Sequence, residues 1–233
     1  MFISENRGVY MFTGIIKETG KITDIRESPE SKELVISCSV IRPGLCIGDS
    51  VAVDGCCLTV KRLTREGFTA DISFSTLNST TFKQIRPGEA VNLEDSLKLS
   101  DKLGGHFVMG HIDTTIKFLG IEKIGSSFKL TLELPQQYYA NIAAKGSVAV
   151  DGISLTVAET GRDFFTAAII PHTCENTCLK IKKPGELMNL EVDLISRYIN
   201  RLMRSPKDEN NNISKQQSDE ILKEKLIKYG FFK

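Results

Sequence analysis

An eleven-residue phrase occurs twice in this chain. SVAVDGCCLTV at Ser50–Val60 returns as SVAVDGISLTV at Ser147–Val157, with nine of eleven positions identical at an offset of 97. The register then continues without a gap. Thr69, Ala70 and Ile72 align with Thr166, Ala167 and Ile169; Thr76 and Thr80 with Thr173 and Thr177. Pro87-Gly88 aligns with Pro184-Gly185, and Asn92-Leu93-Glu94 with Asn189-Leu190-Glu191. Self-similarity at one fixed period marks a duplicated module. The 233 residues must therefore hold two copies of one small fold, a length that suits two small domains.

Each copy reads as β structure. In the first, Lys17–Ile25, Leu34–Ser39, Ser50–Val53, Leu58–Leu63, Phe68–Ser73 and Ala90–Leu93 are short runs rich in β-branched residues, several with period-two alternation. Asp54-Gly55 separates two of them and Asp151-Gly152 repeats it, the residue pair of a tight hairpin. Six short strands in so small a module predict a closed barrel, because closure removes exposed edges. Short helices are expected after Thr76 and Thr173, and at QQYYANI behind Pro135. After the second copy the pattern changes. Leu194, Ile195, Tyr198, Ile199 and Leu202 recur at three- and four-residue spacing, an amphipathic helix over Asp193–Met203 with Asp193 as N-cap. Residues 205–218 read as a polar linker and 219–229 as a last short helix. The first ten residues belong to neither repeat, and Met11 is the expected native start.

Composition narrows the function classes. A net charge of +1 gives no field that favours nucleic acid. No run approaches the roughly 20 apolar residues of a membrane helix, and MFISENRGVYMF lacks a signal-peptide core, so a cytoplasmic protein is expected. The six cysteines, Cys38, Cys46, Cys56, Cys57, Cys174 and Cys178, read as thiols in a chain long enough to build a core without disulfides. Cys174 and Cys178 near His172 do not complete a zinc set, so no metal is expected.

Departures from the repeat carry the chemistry. Cys56-Cys57 becomes Ile153-Ser154, and MFTGII faces FVMGHI, which adds His111. One half thus offers a thiol, the other an imidazole and a hydroxyl. Plainer readings stand beside these. Cys57 is also a small hydrophobe of the kind usually buried, and Cys56 alternates to the other face of its strand. His106 and His111 sit in a Gly-rich run as loop residues would. Ser50 and Ser154 fit tight barrel positions, Asp193 a helix cap, and Lys145 a solvated turn.

MFTGII, GDSVAVDGCCLTV, KLGGHFVMGHIDTT and DGISLTV, in this order, resemble the riboflavin synthase family of the trimeric, duplicated-barrel type; the likeness runs from Met11 to about Met203. The resemblance implies an all-β fold of two tandem six-stranded Greek-key β-barrels plus a C-terminal helix. The domains would be 11–106, 107–192, a trimerisation helix at 193–204 and a polar tail at 205–233. It also implies a homotrimer whose active site lies between the first barrel of one subunit and the second of its neighbour.

Carried over by position, the first pocket would use Gly14, Ile15 and Ile16, then Cys57, Leu58 and Thr59. Asp71, Ile72, Ser73, Phe74, Ser75 and Thr76 would line it from the next strand and turn. The second would use Gly110, His111 and Ile112, with Lys145, then Ser154, Leu155 and Thr156. Ala168, Ile169, Ile170, Pro171, His172 and Thr173 would complete it. Ser50, Cys57, His111, Ser154 and Asp193 would be the catalytic polar set. Position 54 departs from the family pattern, with Asp where Asn is usual; an outward-facing Asp54 is expected to add no charge to the site.

The implied reaction takes two molecules of 6,7-dimethyl-8-ribityllumazine. One gives four carbons to the other, yielding riboflavin and 5-amino-6-ribitylamino-2,4-pyrimidinedione, with no cofactor. Stacking the two rings in opposed orientation removes entropic cost, about 7–11 kcal/mol for good placement. His111 with Ser154 would move a methyl proton; Cys57 with Ser50 would stabilise or add to the acceptor ring; Thr59, Thr156 and Lys145 would hold ring amides and ribityl hydroxyls. The competing reading is a lumazine- or flavin-binding protein without turnover. A barrel-type FAD oxidoreductase lacks support, since no GxGxxG opens a helix here.

Overall fold

The two Asp-Gly pairs set the hairpins from which the fold is built. Asp54 and Gly55 have φ of 42° and 78°, Asp151 and Gly152 of 45° and 76°. Positive φ at both central residues gives a two-residue turn whose twist matches the flanking strands. Val53 accordingly pairs with Cys56, and Val150 with Ile153.

The computed structural model describes residues 10–28 and 31–203, together with 223, 224 and 227. The expected linker at 205–218 lies outside the described residues, as does nearly all of the expected helix at 219–229. The first copy forms β1 (Glu18–Ser28), β2 (Ser31–Ser37), β3 (Ser50–Val53), β4 (Cys56–Leu63), β5 (Gly67–Ser73), a one-and-a-half-turn helix α1 (Phe74–Ser79) and β6 (Ala90–Asp95). The second repeats it as β7 (Thr114–Ile124), β8 (Ser127–Glu133), β9 (Ser147–Val150), β10 (Ile153–Thr160), β11 (Phe164–Ile169), α2 (Pro171–Asn176) and β12 (Leu187–Val192). Each set closes into an antiparallel barrel, in the cyclic order β1-β2-β5-β4-β3-β6 and its equivalent. Matched bulges between Val60 and Arg62 and between Val157 and Glu159 bend the strands for closure. The stretch behind Pro135 is a 3-10 helix, Gln136–Asn141. Helix α3 (Leu194–Met203) follows the second barrel. No helix among the described residues is long and apolar enough to cross a membrane.

Both barrel interiors are filled. Leu58, Val60, Phe68, Ala70 and Ile72 alternate inward in the first, and Leu155, Val157, Phe165, Ala167 and Ile169 in the second. Cys56 joins the first core at 4% exposure, and burial pushes its thiol up to about 12. A third cluster joins the barrels: Phe12, Ala52, Val108 and Ala149, with Cys57 against it. There Phe12 and Val108 exchange backbone hydrogen bonds of 2.8 and 3.1 Å.

Asp54 does not face outward. It is 6% exposed, and its Oδ1 accepts from the Asn92 amide at 2.7 Å. Asp151 does the same with the Asn189 amide at 2.7 Å. The Asn92 and Asn189 side chains then cross between barrels, donating to Asp151 O and Asp54 O, each at 2.9 Å. The Asp turns are thus the point at which the barrels lock. Gly55 and Gly152 meet back to back: a Cβ on either would lie 2.6–2.7 Å from the other's backbone nitrogen.

Candidate active site

Strand alternation puts the candidate residues on the outside of each barrel. On β4, Leu58 points into the core, while Cys57 is half-buried and Thr59 exposed. On β5, Ile72 points inward while Asp71 and Ser73 are exposed. Ser73 then caps α1, its Oγ accepting from the Thr76 amide at 3.2 Å. Phe74 is 66% exposed at the start of that helix, with Ser75 exposed and Thr76 half-buried. The second copy matches. Ser154 is half-buried, while Thr156, Ala168, Ile170, Pro171 and His172 are exposed. Thr173 is half-buried, and Leu155 and Ile169 are core residues. Each site is therefore an open shelf on the β4–β5 or β10–β11 face. Leu58, Ile72, Leu155 and Ile169 support it from beneath. A concavity of about 510 Å³ near Glu18, Cys38, Arg42 and Glu66 shares no residue with either shelf.

The two Gly segments are exchanged relative to the sequence expectation. Gly14 O accepts from the Ser154 amide at 2.8 Å, and Gly110 O from the Cys57 amide at 2.9 Å. Ile16 packs against the second core and Ile112 against the first. Gly14, Ile15 and Ile16 thus edge the Ser154 shelf, and Gly110, His111 and Ile112 the Cys57 shelf. Each shelf is made by both barrels. Glycine is required at both crossings. Gly14 and Gly110 have φ of 75° and 77°, and a Cβ would lie 2.6 Å from Ser154 Cβ or 2.5 Å from Cys57 Cβ.

Two carboxylates hold the crossings in place. Glu94 accepts from Thr13 N at 2.7 Å, Thr13 Oγ1 at 2.6 Å and Gly14 N at 2.9 Å. Glu191 accepts from Met109, Gly110 and His111 amides at 2.7, 2.9 and 3.1 Å. Both are 2% exposed. Burial raises the pKa of each against these hydrogen bonds, that of Glu191 to about 7.

The imidazole on the second shelf is that of His106, whose Nδ1 lies 2.7 Å from Ser154 Oγ. Burial lowers its pKa, and the charge of Asp193, just ahead of α3, acts in the opposite sense. His106 is therefore mainly neutral at pH 7 and able to exchange a proton with the Ser154 hydroxyl. His111 lies elsewhere. Its ring is exposed beside the other shelf, and its amide is what the fold ties down. On the first shelf, burial raises the pKa of Cys57, opposed by a hydrogen bond from buried Ser50. The thiolate is thus disfavoured, and Cys57 stands as a neutral thiol. Asp71 is tied to Lys61 at 2.8 Å. Lys145 is exposed in the turn before β9, its amide bonded to Val157 O at 2.8 Å. Among the described residues no three His, Cys, Asp or Glu converge as a metal set.

The fold and these paired shelves define a tandem-barrel class built to present two like surfaces from one chain. The lumazine-binding domain model matches residues 13–96 and again 109–193. The riboflavin synthase of Photobacterium phosphoreum is 39% identical over 88% of this chain and 95% of its own. That of Mycobacterium tuberculosis is 40% identical over 84% and 99%, and that of Bacillus subtilis 37% over 83% and 90%. LumP complexed with riboflavin superposes with a TM-score of 0.72 at 25% identity, over 78% of this chain and 98% of LumP. LumP complexed with 6,7-dimethyl-8-(1'-D-ribityl)lumazine gives 0.70 at 24%. The chain belongs to the riboflavin synthase and lumazine-binding family.

Proposed function

We propose that each shelf binds one ribityllumazine and that the chain is a riboflavin synthase, joining two such ligands by four-carbon transfer. One observation carries the catalytic half of this reading. At positions otherwise matched by the repeat, one shelf holds the neutral Ser154–His106 pair and the other the Cys57 thiol with Ser50. Two binding surfaces whose proton-handling groups differ suit one ligand that must lose a methyl proton and another that must accept carbon. His106, through Ser154, takes up that proton, leaving a carbanion delocalised into the electron-poor ring. Cys57 as a neutral thiol serves as a hydrogen-bond donor to the acceptor ring. Open shelves gain their second wall from another subunit in the trimer that the family resemblance implies, and the cytoplasm is the matching compartment.

Binding without turnover is the second reading. It is favoured by the raised pKa of Cys57, which removes a nucleophile, and by the likeness to LumP. Incubation with 6,7-dimethyl-8-ribityllumazine alone separates the two. Two ligands bound per chain with riboflavin accumulating supports the synthase; two bound with no product supports the binding protein; no binding overturns both. His106→Gln is expected to lower kcat by about 10²-fold or more while leaving ligand affinity within a few-fold.

A further inference from the structure

The repeat places a buried glutamate at the same position of each closing strand, Glu94 on β6 and Glu191 on β12. Their side chains are spent on the backbone of the segment that crosses to the opposite barrel. Glu94 binds two amides and a hydroxyl of Thr13 and Gly14, and Glu191 binds three successive amides from Met109 to His111. The next backbone contact of each segment is the shelf itself: Gly14 O to Ser154 N, Gly110 O to Cys57 N. A buried carboxylate ringed by backbone N–H groups is a strong, directional anchor, and its oxygens are the acceptors these buried amides have.

We infer that Glu94 and Glu191 are positioning residues, each setting the edge of the shelf on the other barrel, so that Glu94 governs the Ser154 site and Glu191 the Cys57 site. The inference rests on the reading that both shelves bind a ribityllumazine. The assignment is crossed. Glu191 belongs to the second barrel by sequence and fold but serves the first barrel's β4. Replacing a clamp carboxylate by an amide turns an NH₂ toward N–H donors and loosens one crossing segment. The ligand edge on that shelf shifts with it, while the other shelf keeps its own clamp.

The test uses full-length protein and a shelf-blocking tryptophan. Thr59 and Thr156 are exposed on β4 and β10, so Thr59→Trp fills the Cys57 shelf and Thr156→Trp the Ser154 shelf without entering a core. The probes are riboflavin and 6,7-dimethyl-8-ribityllumazine, followed by fluorescence titration. Wild type should bind two ligands and each tryptophan variant one; if wild type binds none, the underlying reading fails and not the clamp assignment. In the Thr156→Trp background, Glu191→Gln should weaken the remaining site by about tenfold or more, and Glu94→Gln should leave it within about twofold. In the Thr59→Trp background the order should reverse. Equal losses from both variants in both backgrounds would mark the glutamates as general structural residues and overturn the inference, as would no loss at all. Thr13→Val is the milder second variant, deleting one clamp hydrogen bond without a charge. It should weaken only the Ser154 site, by a smaller factor, and a loss confined to the Cys57 site would equally overturn the crossed assignment.

Discussion

At the residue scale the buried acids decide how this protein responds to pH and to conservative substitution. Asp54 and Asp151 lie at one interface, and burial raises the pKa of both. Asp151 is ion-paired with Lys182 Nζ at 3.1 Å, while the Lys182 charge reaches Asp54 only at longer range. Asp54→Asn keeps the turn geometry, keeps an acceptor for the Asn92 amide and removes a repulsion between like charges. It should stabilise the protein by about 1–2 kcal/mol. Asp151→Asn looks equivalent in the repeat but strands Lys182, and should cost about 2 kcal/mol; thermal melting of the two variants checks the contrast. Glu191 adds a pH term. Its folded pKa of about 7 stands above the ordinary 4.5, so the folded state holds a proton through that window. Its stabilising contribution is complete below about pH 4.5 and is lost as pH rises through 7, up to about 3 kcal/mol in total. Glu94, Asp54 and Asp151 shift in the same direction. The melting temperature should therefore fall between about pH 5 and 7.5, and Glu191→Gln should flatten that slope. An unchanged slope in the variant would place the effect elsewhere.

At the scale of elements, the sequence specified membership better than neighbourhood. Hairpin signals and β-branched runs located β1 to β6 within a few residues, because turn chemistry and period-two alternation are local properties. On β4 Leu58 points inward and Cys57 outward, whereas the expectation set Cys57, Leu58 and Thr59 together along the pocket. The crossing of Thr13–Ile16 and Met109–Ile112 was not legible. A hydrophobic period says that Ile16 and Ile112 are partly buried, not which of two near-identical cores receives them. The clue was present as the repeated Asn-Leu-Glu on β6 and β12, a polar pair kept at buried strand positions without an evident partner. His106 was obscured for a similar reason: its contact with Ser154 spans 48 residues, while His111 sits in the more conspicuous motif. Gly110 shows what the crossing demands. Gly110→Ala forces a side chain to φ 77° and to 2.5 Å from Cys57 Cβ. It should destabilise by at least about 2 kcal/mol and abolish ligand binding at the Cys57 shelf before the Ser154 shelf, measured by melting and by two-site titration.

At the scale of the whole molecule, two open shelves per chain and an exposed amphipathic helix bear on how, under the synthase reading, ligands on separate shelves would react. Within a chain the barrels meet at the Asp turns and the Phe12–Val108 bridge, with filled interiors between, so neither core can host a shared ring stack. On the proposed synthase reading, the second ligand is supplied by a shelf of another chain. Helix α3 carries Ile195, Tyr198, Ile199 and Leu202 at 55–75% exposure, an amphipathic stripe of the kind that is buried when helices associate. On the trimer reading, Ile199→Asp with Leu202→Asp should convert the protein to monomers by analytical ultracentrifugation. Riboflavin formation should fall by several orders of magnitude, since the placement advantage of roughly 7–11 kcal/mol is lost with the partner shelf. Ligand binding at each shelf should survive, weakened by the missing second wall. A monomer that retained full turnover would show that both ligands react on one chain and would refute an active site between subunits.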